Sequence, residues 1–188
     1  MQYVKLFMPL PNGKYAEGTG VLWNSNTILT AGHNLLEGKR KYFEKVEIEF
    51  SPELNIPRTT VKKTQFHVPQ MFYETTRAKY DIGMIRLSQR MVNFTDVDLE
   101  YPPNKMRRAC KTEGFKFNSS ELTSANIKAR KPWYRPFIYG SSDIPLDHGM
   151  SGSPLYVIEN NTLKILGVFI GIQSGKYAFV PLRKNLML

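Results

Sequence analysis

The chain has 188 residues, 41% of them hydrophobic, which is enough to bury the core of one large domain or of two small fused lobes. Its 26 basic residues exceed its 16 acidic residues and give a formal net charge of +10. No apolar run approaches the roughly 18 residues that cross a bilayer, and the N-terminus lacks the apolar region of a signal peptide. We therefore expect a soluble protein with no transmembrane segment, either secreted in mature form or derived from an intracellular or viral polyprotein.

Short apolar or alternating runs recur along the chain, and turn residues separate nearly all of them. In chain order, strands are predicted at residues 2–8, 20–23, 27–30, 45–50, 60–67, 82–87, 137–139, 154–158, 163–172 and 176–181. Residues 24–26 and 159–161 fit hairpin turns. Helix is predicted only after His33 and over residues 182–188. The pattern predicts an all-β fold in which antiparallel strands form a barrel or a sandwich.

Residues 97–105, which contain Pro102 and Pro103, are the predicted linker between a lobe of residues 1–96 and a lobe of residues 106–188. The excess positive charge lies mainly in residues 105–135, where nine basic residues face two acidic ones, a local net charge of +7. With the aromatic residues Trp133 and Tyr134 among them, this basic segment could bind RNA, an anionic membrane surface or an acidic substrate. The alternative is a solvated surface that has no specific partner.

Three residue types that cooperate in acyl transfer follow or open strand-like runs. His33 ends the segment Thr-Ala-Gly-His, Asp81 opens Asp-Ile-Gly-Met, and Ser151 lies in Gly-Met-Ser-Gly-Ser-Pro. A serine hydroxyl is a weak nucleophile unless an imidazole accepts its proton, and a carboxylate can hold that imidazole in one tautomer. We therefore assign Ser151 as the candidate nucleophile, His33 as the candidate base and Asp81 as the carboxylate that orients it.

The turn around the serine also offers donors for the negative oxygen that forms when a carbonyl is attacked. Backbone amides aimed at this oxygen stabilise it, and the amides of Gly149 and Ser151 are the candidates for this oxyanion hole. Taken singly, each of the three segments could be an ordinary turn. Their joint occurrence in one order favours the catalytic interpretation.

These segments resemble the motifs of chymotrypsin-fold serine proteases, in which histidine, aspartate and serine occur in the same chain order. Residues 18–22 and 167–171 resemble two further strands of that family. The resemblance implies two antiparallel six-stranded β-barrels, a short C-terminal helix, and hydrolysis of a protein or peptide substrate without a metal or cofactor. In character the chain is similar to bacterial glutamyl-endopeptidase-like proteases and to polyprotein proteases of positive-strand RNA viruses, such as the astrovirus type.

Two features depart from the animal members of that family. Met150 stands where trypsin-like enzymes carry an aspartate that pairs with a newly cleaved N-terminus. An apolar side chain cannot form that ion pair, so we expect activity without a new α-amino group. Cys110 is the only cysteine, which rules out an intrachain disulfide, and we expect it to serve as a small buried apolar residue.

Specificity is predicted from the residues that match the family's substrate pocket. Leu146 and Phe169 match two positions at which glutamyl endopeptidases resemble one another. Those enzymes carry a threonine and a histidine there, which bind the side chain of the substrate residue. Apolar walls leave a charged side chain without partners, so we expect an apolar residue before the scissile bond. Ile170 and Gly171 are expected to pair with the substrate backbone as an added strand, and His148 to rim the cleft. The rival hypothesis is a catalytically silent module whose basic second lobe binds nucleic acid or a protein partner.

Overall fold

The structure, a computed structural model, describes residues 1–51, 56–91 and 94–184. The strands of the described residues, in chain order, are β1 (Tyr3–Pro9), β2 (Tyr15–Asn24), β3 (Thr27–Thr30), β4 (Leu36–Gly38), β5 (Lys41–Tyr42), β6 (Lys45–Phe50), β7 (Thr59–Lys62), β8 (Phe66–His67), β9 (Gly83–Arg86), β10 (Asp98–Leu99), β11 (Met106–Phe115), β12 (Leu122–Lys131), β13 (Ile138–Ser142), β14 (Pro154–Glu159), β15 (Thr162–Gln173) and β16 (Lys176–Pro181). One α-helix, α1 (Gln70–Thr75), lies within the described residues.

The strands form two large sheets, one in each half of the chain. The first has the order β7-β6-β1-β2-β3-β9-β8 and is a nearly closed barrel of antiparallel strands. The second has the order β10-β15-β14-β11-β12-β13-β16, and pairing of β15 with β16 closes six of its strands into a barrel. The all-β, double-barrel fold expected from the resemblance is therefore confirmed.

Alternation of apolar and polar residues explains why these segments form barrel strands. In β6, Val46, Ile48 and Phe50 are buried in the core of the first lobe, and the residues between them are half-buried or exposed. This period of two is that of a strand with one buried face. A second apolar cluster fills the second barrel, and a third joins the lobes, where Leu29 of β3 and Val168 of β15 are fully buried.

The helix predictions need correction. Instead of a helix after His33, a single 3-10 turn (Gly32–Asn34) leads directly to β4. The α-helix at Gln70–Thr75 was not predicted, because its six residues bury only Phe72 and are too short to show a helical period. For the predicted C-terminal helix, residues 185–188 lie outside the described residues. No helix in the described ranges is long and apolar enough to cross a membrane.

Two long strands of the basic segment were not predicted from the sequence. β11 and β12 pair along ten residues each, from Met106 opposite Lys131 to Phe115 opposite Leu122. Their inward positions alternate with outward basic residues, so the positive charge lies largely on the outer face of a β-hairpin. Two basic residues of this segment bind other parts of the chain. Lys131 is buried and donates to the carbonyls of Pro103 and Asn104. Arg108 forms ion pairs with Glu100 and Glu159.

A carboxylate with two phenol donors joins the lobes. Glu113 of β11 accepts hydrogen bonds from the Tyr3 hydroxyl of β1 at 2.6 Å and from the Tyr156 hydroxyl of β14 at 2.8 Å. Both tyrosines are at most 4% exposed. Burial, together with the hydrogen bond to Glu113, raises the pKa of both phenols. This cluster links the first strand of the chain to β11 and β14 of the second barrel.

Replacing Glu113 with alanine is expected to lower the free energy of unfolding by about 3 kcal/mol, because two buried hydroxyls lose their carboxylate acceptor. Urea denaturation measures the change. Glu121→Ala, at an exposed position in the turn before β12, is the matched control and should cost little. Equal losses in the two variants would contradict a stabilising role for the cluster.

Candidate active site

His33 and Asp81 are brought together by the pairing of β3 with β9. His33 lies in the 3-10 turn that follows β3, Asp81 precedes β9, and Thr30 is opposite Gly83 in the antiparallel ladder. The Asp81 carboxylate accepts from the His33 backbone amide at 2.8 Å through Oδ1, and its Oδ2 lies 2.7 Å from His33 Nδ1. These two bonds fix the ring orientation and leave Nε2 as the nitrogen free to exchange a proton.

The electrostatic environment of this pair favours a charged imidazole. Burial lowers the pKa of His33, whereas the charge of Asp81 and its hydrogen bond raise it, and the net direction is upward. Burial has the largest single effect on this pKa, but the charge and the hydrogen bond of Asp81 together outweigh it. Asp81 can therefore stabilise the imidazolium that forms when His33 accepts a proton.

Ser151 is held at the lobe interface by contacts from the first lobe. Its carbonyl accepts from the Thr19 amide at 2.8 Å and from the Asn34 side-chain amide at 2.9 Å. Asn34 is the residue after His33, so these bonds tie the segment of the candidate nucleophile to the segment of the candidate base. The structure thus brings the three residues predicted as catalytic to one interface between the barrels.

The residue after the serine has to be glycine. Gly152 has φ of +97°, a left-handed conformation that other residues rarely adopt. A Cβ atom there would lie 1.9 Å from the Thr19 carbonyl oxygen and 2.4 Å from the Thr30 hydroxyl. Gly152 therefore allows the serine turn to pack directly against β2 and β3.

Both amides of the predicted oxyanion hole are occupied in this conformation. Residues His148–Met150 form a 3-10 turn in which the Gly149 amide donates to Asp147 Oδ1 at 3.0 Å. The Ser151 amide donates to the His148 carbonyl at 3.2 Å. Neither amide points to a free position where a reacting oxygen could bind.

The residues predicted to line the specificity pocket separate into two groups. Leu146, Phe169 and Met150 are packed together in the core of the second barrel and are at most 7% exposed. Tyr177 lies behind them, since its hydroxyl accepts from the Leu146 amide at 3.2 Å and its ring centroid is 6.1 Å from that of Phe169. Met150 is thus part of an apolar cluster, and its surroundings offer no site for the ion pair of trypsin-like enzymes.

The other predicted contact residues lie outside this cluster. Ile170 is 8% exposed, and Gly171 is half-buried where a register shift interrupts the β15–β16 ladder. His148 is exposed at the start of the serine turn. The ladder between β14 and β15 ends where Pro154 of β14 is opposite Val168 of β15. Ile170 and Gly171 follow in β15, on the edge that β14 does not cover.

Two features outside the site complete the sequence predictions. Cys110 is 5% exposed in the apolar cluster of the second barrel, and burial raises the pKa of its thiol to about 11.

Trp133 and Tyr134 are 74% and 62% exposed after β12, and the Arg135 guanidinium lies 5.4 Å from the Tyr134 ring centroid. The predicted role of this basic segment in binding RNA or an anionic surface stays a prediction.

Sequence reasoning assigned no role to Asp147, Thr19 or Asn34, although all three contact the serine turn. Asp147 accepts from the amides of Gly149 and Phe117, and the Thr19 hydroxyl donates to the Gly149 carbonyl at 2.9 Å. An aspartate two residues before a glycine is a recognisable turn signal and could have indicated the first of these contacts. The other two arise from packing between the lobes and leave no local pattern.

Comparisons with known proteins agree with the double-barrel fold. A family model described as a trypsin-like peptidase domain matches residues 18–168. No curated protein sequence matches the chain. Among solved structures, a thermostable serine protease AL20 from an extremophilic microorganism superposes with a TM-score of 0.73 at 14% identity, covering 94% of this chain and 88% of the other.

Two further solved structures are similar to a comparable extent. A Glu endopeptidase has a TM-score of 0.69 at 19% identity, and the aligned region covers 93% of this chain and 82% of the endopeptidase chain. The scabies mite inactivated protease paralogue S-I1 has a TM-score of 0.70 at 15% identity and covers 95% and 88%. At these identities the similarity shows a common fold. The similar structures include two proteins named as a protease and an endopeptidase and one named as an inactivated paralogue.

Proposed function

Because this chain belongs to the trypsin-like peptidase family, we propose that it is a serine endopeptidase acting through Ser151, His33 and Asp81. The observation that carries the proposal is the pair of hydrogen bonds that the Asp81 carboxylate accepts from the backbone amide and Nδ1 of His33. A binding role alone gives no reason to hold an imidazole in one orientation beside a serine turn.

The proposed reaction is acyl transfer to the serine. His33 Nε2 accepts the proton of the Ser151 hydroxyl as its oxygen attacks the substrate carbonyl, and Asp81 stabilises the resulting imidazolium. His33 then gives the proton to the leaving amine, which departs and leaves an acyl-enzyme. Water, activated by the same imidazole, releases the acid and regenerates the serine.

The negative oxygen of each tetrahedral intermediate requires donors, and the amides of Gly149 and Ser151 are the proposed ones. Their present hydrogen bonds to Asp147 and His148 must therefore break during turnover. The substrate backbone would add as a strand along Ile170 and Gly171. The preference for an apolar residue before the scissile bond stays a prediction, because Leu146 and Phe169, which were expected to line the pocket, are buried in the core of the second barrel.

Covalent labelling tests the proposal directly. A fluorophosphonate probe is expected to label the protein at Ser151, identified by mass spectrometry of the labelled peptide, and to leave the Ser151→Ala variant unlabelled. Labelling requires an activated serine, so it does not depend on knowing the natural substrate. A folded protein in which no variant is labelled would contradict the proposal.

The second candidate function is a catalytically silent module that binds nucleic acid. The exposed pair Trp133 and Tyr134, flanked by basic residues, is the observation that favours it, because aromatic rings and cations together bind single-stranded nucleic acid. Salt-sensitive binding of a single-stranded RNA oligonucleotide, together with absence of fluorophosphonate labelling, would favour this candidate.

A further inference from the structure

From the hydrogen bonds of the serine turn, we infer that Asp147 is a positioning residue that holds the oxyanion hole closed, and that rotation of the His148–Gly149 peptide opens it. The inference rests on the proposed function and adds a conformational step to it. The closed conformation is the one described above, in which Asp147 accepts from Gly149 and the His148 carbonyl accepts from Ser151. In the open conformation, both amides face the substrate oxygen.

One peptide unit accounts for both blocked donors. The carbonyl that accepts from the Ser151 amide and the Gly149 amide that donates to Asp147 belong to the same His148–Gly149 peptide. No cis peptide occurs among the described residues, so this carbonyl and this N–H point in opposite directions. A half-turn of the peptide plane therefore releases the Ser151 amide and brings the Gly149 amide to the place that the carbonyl had occupied. Both donors then converge on one position.

The residues around this peptide are fixed by the first lobe. The Gly149 carbonyl accepts from the Thr19 hydroxyl at 2.9 Å, and the Ser151 carbonyl accepts from the Thr19 amide and from Asn34. The same Thr19 hydroxyl accepts from the Phe115 amide at 3.0 Å. The peptide bonds after Gly149 and after Ser151 are thereby held in place. Motion is confined to the peptide before Gly149.

The residues on either side of the rotating peptide allow the motion. Rotation changes ψ of His148 and φ of Gly149, and glycine accepts a wide range of φ at little cost. Any side chain at position 149 would also collide, since a Cβ atom would lie 2.4 Å from the Phe117 amide nitrogen and 2.7 Å from the Phe115 carbonyl oxygen. His148 is exposed, so its side chain is not packed in a way that would oppose the change.

Asp147 is the group that favours the closed conformation. Its Oδ1 accepts from the Gly149 amide at 3.0 Å and from the Phe117 amide at 3.1 Å, and opening breaks the first of these bonds. A hydrogen bond to a carboxylate stabilises more than one to a neutral acceptor. Because the oxyanion hole contacts the negative oxygen of the tetrahedral intermediate, only the fraction of substrate-bound enzyme whose hole is open can react, and kcat falls to that fraction of its full value.

Two variants at Asp147 test the inference. Asp147→Ala removes the acceptor and is expected to raise the rate of fluorophosphonate labelling and kcat about tenfold, with a smaller change in KM. Asp147→Asn keeps a neutral acceptor and should give an intermediate increase. A purely structural role predicts the opposite direction, because loss of the bonds to Gly149 and Phe117 would loosen the site and lower both rates.

Asp143→Asn is the matched control. Asp143, which follows β13, also accepts from a backbone amide, that of Asn126 in β12 at 2.8 Å, and none of its hydrogen bonds is to the serine turn. Labelling that is faster at Asp147 variants than in this control supports the inference, including the case in which only the Asp147 variants are labelled. Unchanged or slower labelling overturns it while leaving the proposed function intact. Absence of labelling in every folded variant overturns both.

A crystal structure of the wild-type protein with a peptide boronic acid bound to Ser151 provides an independent measurement. The boronate has a tetrahedral centre with an oxygen in the position of the oxyanion. The expected result is a rotated His148–Gly149 peptide whose amide, with that of Ser151, donates to this oxygen. An adduct in which the Gly149 amide still donates to Asp147 would overturn the inference.

Discussion

Replacing Ser151 with alanine is expected to lower kcat by about 10⁶-fold while changing the free energy of unfolding by less than about 1 kcal/mol. In the proposed mechanism the hydroxyl oxygen of Ser151 forms the acyl-enzyme, and alanine has no atom that can take its place. The backbone bonds that hold this segment, from Thr19 and Asn34 to the Ser151 carbonyl, do not involve the side chain. The fold should therefore survive the substitution.

Ser153 offers a control two residues away in the same turn. Its hydroxyl is fully buried and finds no hydrogen-bond partner within the described part of the chain. Removing it should cost little stability and leave turnover intact, because its backbone bonds to Met150 and Phe169 are kept. Turnover of a peptide substrate and thermal unfolding of both variants give the comparison. Comparable activity of Ser151→Ala and Ser153→Ala would exclude Ser151 as nucleophile.

Local sequence patterns predicted the strands whose inward residues are large and apolar. β6 was found because Val46 and Ile48 alternate with charged residues, and β15 was found because residues 165–170 form a continuous apolar run. β11 and β12 were missed because their inward positions include small or polar residues, such as Ala125, Ala129 and Lys131.

The site shows the same division between local and tertiary information. His33 and Asp81 were predicted from residue type and chain order, and pairing of β3 with β9 accounts for their contact. The state of the oxyanion hole could not be predicted in this way. It depends on the orientation of the peptide before Gly149, which no residue type determines and which Asp147 influences through one hydrogen bond.

Asp81→Asn is expected to lower kcat/KM by about 10⁴-fold with little change in the fold. The asparagine oxygen can still accept from the His33 amide, but its NH₂ group then faces Nδ1. A donor at that position makes Nδ1 the acceptor and places the ring proton on Nε2. This tautomer cannot take the proton of Ser151, so the loss arises from the protonation state rather than from disorder. Asp98→Asn, at an exposed position in β10, is the control and should retain activity.

The pH profile distinguishes this cause from general damage to the site. His33 must be neutral to act as a base, and Asp81 raises its pKa, so wild-type kcat/KM should increase with pH and reach half its maximum above the ordinary histidine pKa of about 6.5. In Asp81→Asn the charge that raises the pKa is gone and the lowering effect of burial remains, so the half-maximum should move to lower pH. Steady-state kinetics between about pH 5 and 9 measures both profiles. A half-maximum that stays at the wild-type pH, or moves upward, would show that Asp81 does not control the protonation of His33.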